Sequence, residues 1–235
     1  MKVHLKVWGD IACFTRPEMK VERMSYSVIT PSAARGLLEA ILYTPQFRWS
    51  IRRVAVKKPI RFISFRRNEV KSRLNPKNPK PLLVEDDRTQ RNTLALRDVE
   101  YVIEAAISLT PLANLPRRKP SCEDEPAGEN TLVKYLAMFQ RRAGKGQCFT
   151  QPCFGCREFP ANFELADESA MTVPPGINPD SDLGLMLYDV FDLDRMPGKV
   201  EKPEPKITFF PAKLRDGVMT VPAWSEVKKQ LGGAL

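Results

Sequence analysis

Two short amphipathic segments constrain the fold of this chain more than any other feature. In the first, residues 30–42, Thr30 can cap a helix, Pro31 suits the first helical position, and Pro45 follows as a stop signal. In the second, residues 130–144, apolar side chains recur at helical spacing until Gly144 ends the pattern. These signals predict two helices and leave the segments around them to be strands or loops.

Alternation of apolar and polar residues predicts the strands. It occurs over residues 2–9, over 48–67, which predicts one long strand or hairpin, over 94–109, and in a strand-like run at 154–159. Residues 68–92 and 110–129 carry proline and little periodicity, and we predict loops there, the first of them basic. The order β-α-β-β-α-β predicts an α+β fold of the ferredoxin-like, split βαβ type, which is also the topology of RNA-recognition (RRM-like) sheets.

The C-terminal part predicts a second unit. Residues 183–191, 206–210 and 217–221 have strand character, and Asp216-Gly217 is a hairpin-turn signal. We therefore expect a ferredoxin-like domain at 1–163, and an acidic linker with a small antiparallel β-sheet subdomain at 164–235. A short helix is expected at 224–231.

Charge is strongly positive and uneven. The net charge is +9, and between residues 48 and 80 twelve Lys and Arg residues accompany a single acid, Glu69. This surplus favours a polyanionic partner and places the nucleic-acid footprint on the first two-thirds of the chain. No apolar run approaches the roughly 20 residues of a membrane-spanning helix. The first residues show no signal peptide either, so we expect a cytoplasmic protein without a membrane partner.

Cysteine and histidine usage argues against several site types. The five cysteines, without a secretory signal, are expected to be reduced thiols. Cys148, Cys153 and Cys156 have a spacing that would suit zinc, but the sole histidine, His4, lies far away in the first strand, so core packing is the favoured interpretation. We predict no metal and no cofactor. The solitary histidine also argues against a hydrolase triad, and no phosphate-cradling P-loop or dinucleotide fingerprint is present.

A glycine-marked turn follows the second helix and predicts contact with a phosphodiester backbone. Backbone amides in such a turn, flanked by cations, can approach phosphate closely. The residues predicted to bind nucleic acid are Arg141, Arg142, Gly144, Lys145, Gly146, Gln147, Phe149, Arg157, Arg66 and Arg67. Phe149 is predicted to stack on unpaired bases, with core packing as the alternative. The whole helix could instead be a surface helix with solvated charges.

Three stretches of sequence resemble a known family. WGDIACFTRPEMKVERMSYSVITPSAARGLLEAILYTP, RRNEV and QRRAGKGQCFTQPCFGCREF resemble the CRISPR-associated Cas-five family of subtype I-C, in the RAMP superfamily, from the first strand to about Phe163. The resemblance implies a ferredoxin-like domain with an added β-sheet. It also implies a metal-independent endoribonuclease of the prokaryotic cytoplasm that cuts precursor crRNA at the repeat hairpin. Such an enzyme stays on the crRNA 5′ handle within Cascade, beside the backbone and large subunits.

Active members of the family that this sequence resembles share a Tyr-Lys-His set. Here Lys134 occupies the Lys position, Tyr135 the His position and Leu42 the Tyr position, with Tyr43 one residue later. We predict slow cleavage by 2′-hydroxyl attack giving a 2′,3′-cyclic phosphate, with Lys134 stabilising charge and Tyr135 or Tyr43 carrying the proton. The alternatives are a silent handle-binding subunit of Cascade and a general nucleic-acid binder. Weak, salt-sensitive binding of duplex DNA is expected both for the nuclease and for the silent handle-binding subunit.

Overall fold

The computed structural model describes residues 2–19, 21–72, 83–114, 131–193 and 206–232, and every structural statement below concerns these residues. Part of the predicted basic loop and most of the loop predicted at 110–129, with Cys122, lie outside them. The strands are β1 (Lys2–Ala12), β2 (Arg23–Met24), β3 (Phe47–Val56), β4 (Phe62–Val70), β5 (Arg88–Leu109), β6 (Asn162–Ala166), β7 (Ser181–Asp189), β8 (Thr208–Arg215) and β9 (Val218–Thr220). The helices are α1 (Pro31–Ile41), α2 (Leu132–Gly144) and α3 (Trp224–Gly232), with 3₁₀ turns at Pro111–Asn114 and Glu168–Met171.

The described strands form one sheet in the order β6-β1-β5-β3-β9-β8-β7, and β2 and β4 also pair with β5. Strand β5, 22 residues long, organises this sheet. Its second half lies between β1 and β3, while its first half pairs with β4. All neighbouring pairs are antiparallel except β2 with β5. The α+β class expected from the sequence is confirmed.

Two strand predictions were wrong. Residues 48–67 are neither one strand nor a hairpin, because β3 and β4 do not pair with each other and each pairs with β5 instead. Residues 154–159 form a closed turn rather than a strand. Gly155 adopts φ +84°, and the Phe154 amide donates to the Phe159 carbonyl at 2.8 Å, so the strand begins only at Asn162. The described ends of the predicted basic loop are also strand, up to Val70 and from Arg88.

The C-terminal strands form the predicted antiparallel meander. The turn between β8 and β9 contains Asp216 and Gly217, both at positive φ, as the Asp-Gly signal predicts. Strand β9 then pairs with β3, and β6 pairs with β1, so strands on both sides of residue 163 belong to the same sheet. The division into units at 1–163 and 164–235 remains a prediction.

The core lies between one face of the sheet and the inner faces of α1 and α2. Alternate residues of β1, Val3, Leu5 and Val7, are buried, and they face apolar residues of β5 across the register. On the opposite face the turn Glu168–Met171 covers part of the sheet, with Met171 packed near Ala55 and Val102. No helix within the described ranges is long and apolar enough to cross a membrane.

Candidate functional site

Lys134 lies in the first turn of α2. Thr131 caps this helix, and its side-chain oxygen accepts a hydrogen bond from the Lys134 amide at 3.3 Å. The first turn of a helix carries a partial positive charge, so a lysine there is electrostatically unfavourable by about 0.3–1 kcal/mol. The half-buried Lys134 side chain therefore does not stabilise the helix through its charge.

The two candidate phenols lie in different surroundings. Tyr135 is 3% exposed, and its ring centroid lies 4.8 Å from that of Phe47 at the start of β3. Tyr43 is 54% exposed. Leu42, the position that the family resemblance aligns with a tyrosine, is buried and caps α1. Of the two phenols, Tyr43 is the one that a ligand can reach without rearrangement of the core.

The end of α2 and the segment after it close onto the end of α1. The Arg142 guanidinium donates to the Ile41 carbonyl at 3.1 Å, and the amides of Phe149 and Thr150 donate to the Ala40 carbonyl at 2.8 and 3.2 Å. These donors satisfy carbonyls that the end of a helix otherwise leaves without partners. The Arg142 side chain thus holds the residues just before Tyr43.

The connection between α1 and β3 consequently runs alongside α2. It starts at Ile41, in contact with Arg142, and reaches Phe47, in contact with Tyr135. Arg142 lies eight positions after Lys134, which is about 12 Å along the helix axis. Tyr43 lies in this connection, between the residue that contacts Arg142 and the residue that contacts Tyr135.

The glycine turn is built as a helix C-cap. The amides of Lys145 and Gln147 donate to the Arg142 carbonyl at 3.1 and 2.9 Å, and the Gly146 amide donates to the Ala143 carbonyl at 3.1 Å. Gly146 adopts φ +65°, which suits a glycine in this position. Since these amides already have partners, the donors that remain available at the turn are side chains. Arg141, Lys145, Gln147 and Phe149 are exposed, Phe149 to 83%, and Gly144 is exposed as well.

The remaining predicted contacts divide into exposed and compensated cations. Arg66 on β4 and Arg157 in the turn before β6 are exposed. Arg67 is half-buried: it donates to Thr93 Oγ1 at 3.1 Å and pairs with Glu158 and with Glu69. Its charge is therefore largely neutralised within the protein.

A cleft of about 600 Å³ adjoins this region, and sequence reasoning missed it. One wall is the outer face of α1, where small residues leave room, and the other is the segment 150–157. Its lining includes Ala33, Gly36, Ala40, Thr150, Cys153 and Arg157. The spacing of the small residues on α1 was the available signal. Within the described ranges no group of three or more His, Cys, Asp or Glu residues is arranged to hold a metal ion.

Comparison with known families identifies the kind of protein. A family model described as "CRISPR-associated protein (Cas_Cas5)" matches residues 3–222. The chain belongs to the CRISPR-associated Cas5d family. A relative from Mannheimia succiniciproducens, named CRISPR pre-crRNA endoribonuclease Cas5d, is 43% identical over 97% of this chain and 99% of its own length. One of the same name from Thermus thermophilus is 42% identical over 94% of this chain and 92% of its own length.

Solved structures support the fold. The crystal structure of a CRISPR-associated protein matches with a TM-score of 0.63 at 21% identity, covering 96% of this chain and 94% of the other. The functionally uncharacterized protein SMU1763c from Streptococcus mutans gives the same values. At this identity the likeness concerns the fold alone. The family resemblance inferred from the sequence is confirmed by the family match.

Proposed function

We propose that this protein is a CRISPR pre-crRNA endoribonuclease that cuts the repeat hairpin and keeps the 5′ handle. The observation that carries the proposal is the likeness, at 42–43% identity over nearly the whole chain, to two proteins named for that activity. The RNA-binding surface would comprise the exposed cations at the end of α2, the side chain of Phe149 and the cleft beside α1. The strand order β6-β1-β5-β3, with α1 and α2 in the two crossover connections, supports a ferredoxin-like core of the RAMP type.

The reaction proposed is a transesterification that needs no metal ion. The 2′-hydroxyl loses its proton and attacks the adjacent phosphorus, the bond from phosphorus to the 5′-oxygen breaks, and that oxygen takes up a proton. The products are a 2′,3′-cyclic phosphate and a 5′-hydroxyl. Negative charge grows on the phosphoryl oxygens in the transition state, so a cation placed there lowers the barrier.

Lys134 is the residue proposed to stabilise that charge. Its side chain emerges at the positive end of α2, and the helix dipole there adds to the field acting on a phosphate. Tyr43 is proposed as the proton carrier because its phenol is accessible, and Tyr135 remains the second candidate. Arg142 would be a positioning residue, since it holds the end of α1 from which Tyr43 projects. General acid–base catalysis typically contributes about 10²–10⁴-fold, so an enzyme without the family's histidine is expected to be slow.

A second function is favoured by one observation. The position at which active members of the family carry histidine is Tyr135 here, and its ring is packed in the core. A catalytically silent subunit that binds the crRNA handle in Cascade, beside the backbone and large subunits, would need the cations but neither phenol. Its positive surface would also bind duplex DNA weakly, with an affinity that falls steeply as salt rises.

The deciding experiment is cleavage of an end-labelled repeat hairpin from the protein's own locus in excess EDTA. We expect one cut that leaves a 2′,3′-cyclic phosphate, a rate reduced at least about 100-fold by Lys134→Ala, and a smaller loss with Tyr43→Phe. Lys213→Ala, on an exposed residue of β8, is the matched control and should leave the rate unchanged. Tight binding without cleavage would support the silent subunit. Unchanged cleavage by Lys134→Ala would remove that residue from the mechanism.

A further inference from the structure

Two cysteines distant in sequence meet at the edge of the main core. Cys13 follows β1, and Cys156 lies in the closed turn before β6. The Cys13 amide donates to the Phe154 carbonyl at 3.0 Å, and a Cβ on Gly155 would come within 2.1 Å of the Cys13 carbonyl oxygen. Only a glycine permits this approach, which brings the next side chain, Cys156, to Cys13. The two side chains are close enough to affect each other's ionisation.

The surroundings of the pair favour negative charge on sulfur. Arg23 Nη1 donates to Cys156 Sγ at 3.0 Å, and the Thr15 hydroxyl lies 3.6 Å from Cys13 Sγ. The hydrogen bond from Cys156, followed by those from Thr15 and the charges of Arg23 and Arg67, lowers the pKa of Cys13 to about 6 although burial opposes it. The pKa of Cys156 is raised, because its proton is held in the bond to Cys13 and because it is buried. Negative charge is therefore favoured on Cys13, and the proton is favoured on Cys156.

The burial of Cys13 and Cys156 limits which reagents can reach them. Cys13 is 1% exposed and Cys156 7%, whereas Cys148 and Cys153 are only half-buried. Since both side chains are buried, we expect a small neutral oxidant to reach the pair more readily than a bulky thiol reagent. Low-pKa thiolates beside cations are the cysteines that oxidants attack preferentially.

We propose that Cys13 and Cys156 form a redox site that a hydroperoxide oxidises to a disulfide. The Cys13 thiolate attacks the peroxide, the O–O bond breaks, and a sulfenic acid and hydroxide form. The Cys156 sulfur then attacks the sulfenic sulfur and expels its oxygen, which leaves as water with the thiol proton. Two thiols lose two electrons and two protons in total, and one molecule of hydrogen peroxide becomes two of water.

The bond would fix the turn before β6 to the end of β1. That turn carries Arg157 and Glu158, and it forms a wall of the cleft beside α1. Glu158 pairs with Arg23 and Arg67, so the thiol pair belongs to an ion-pair cluster that spans β2 and β4. Oxidation would replace the contact between Arg23 and Cys156 and would rigidify this wall. The proposal rests on the geometry of the pair and does not depend on RNA cleavage.

Peptide mapping of the intact protein tests this directly. The reduced protein is treated with hydrogen peroxide, its remaining thiols are alkylated after unfolding, and the peptides are analysed without reductant. We expect one cross-linked pair joining the peptides of Cys13 and Cys156, two hydrogens lighter than the reduced peptides and released by dithiothreitol. Arg23→Met should slow its formation several-fold.

Single variants provide the controls. Cys13→Ser and Cys156→Ser should each abolish the cross-link, while Cys148→Ser and Cys153→Ser should retain it. Mapping of the unmodified protein needs no variant, so a folding defect in Cys13→Ser would leave the outcome decidable. A disulfide between Cys153 and Cys156, sulfinic acid without a cross-link, or two thiols that stay reduced under peroxide would overturn the proposal.

Discussion

The ion pair between Arg35 and Asp189 offers a sharp test of how the C-terminal strands are attached. Arg35 lies in α1 and Asp189 ends β7. The guanidinium donates through Nε at 3.1 Å and through Nη2 at 3.0 and 2.8 Å to the two carboxylate oxygens. The Asp189 side chain is 2% exposed and that of Arg35 16%. Asp189 Oδ1 also accepts from the amides of Val190 and Phe191, which fixes the carboxylate.

Replacing Arg35 with methionine keeps an apolar stem but leaves the carboxylate buried without its cation. Breaking a buried pair in this way costs about 3–5 kcal/mol, and the two backbone donors that remain favour the lower value. In a chain of 150–250 residues each kcal/mol shifts the melting temperature by about 2–4 °C. A loss of about 3 kcal/mol therefore predicts a melting temperature lower by about 6–12 °C.

Thermal unfolding followed by circular dichroism is the assay. Arg215→Met is the matched control, because Arg215 and Asp180 also lie 2.8 Å apart but their side chains are 68% and 50% exposed. Water screens that pair, so we expect no measurable change. The double variant Arg35→Met/Asp189→Asn removes the buried charge and keeps an acceptor for the two amides, and it should regain more than half of the loss. A drop below about 2 °C for Arg35→Met, or a double variant no more stable than the single one, would refute the reasoning.

Three further outcomes follow. Gly155→Ala should cost at least about 2 kcal/mol in urea unfolding, since φ is +84° and the added Cβ meets the Cys13 carbonyl, whereas Gly146→Ala, with open space around it, should cost about 1 kcal/mol. Phe149→Ala should weaken RNA binding about 5–150-fold in a filter-binding assay, the value of one stacked base, without changing the melting temperature. Burial opposes ionisation of Glu104, but hydrogen bonds from three basic side chains hold its pKa at about 2. The folded pKa of Glu104 thus lies below its unfolded value, so its contribution of about 3 kcal/mol to the free energy of unfolding is complete above about pH 4.3 and is lost as the pH falls through 2. In Glu104→Gln, the free energy of unfolding measured across an acid titration should therefore depend less on pH in that range.

Local signals predicted the helices well because helix ends are decided by neighbouring residues. Thr30 accepts from the Ala33 amide at 3.3 Å, and Thr131 caps α2 in the same way. The Asp-Gly turn before β9 is equally local. Each of these features depends on a side chain and a backbone group within three residues of each other.

Strand partners could not be predicted in this way. Alternation identified β3 and β4 as extended, but it carries no information on what an extended segment pairs with. The partner of both is β5, whose length lets one strand serve two neighbours in succession. The turn at 154–159 failed for a related reason, since its shape depends on the contact between Gly155 and the distant Cys13.

In the candidate site, too, local sequence predicts some features, and contacts between distant residues determine the others. The period that predicted α2 also places Tyr135 one turn before Phe139, whose ring lies 4.7 Å from that of Trp49, so burial of Tyr135 follows from the helical pattern. The hydrogen bonds from the glycine-turn amides to the last carbonyls of α2 also follow from local sequence, since helices commonly end in such a cap. Contact between Arg142 and α1 does not, because it joins two helices about 100 residues apart.

The contact between Arg142 and Ile41 distinguishes Arg142 from the other cations at the end of α2. A guanidinium that donates to the Ile41 carbonyl is held in a fixed place, and it fixes the last turn of α1 in return. Arg141 and Lys145 are exposed, so under the proposed function one short segment would contain both a structural cation and cations that bind RNA. Loss of Arg142 should therefore act through the position of Tyr43 and lower the cleavage rate more than the affinity. Loss of Arg141 or Lys145 should lower the affinity and its salt dependence, because each removes a charge that displaces counterions from RNA.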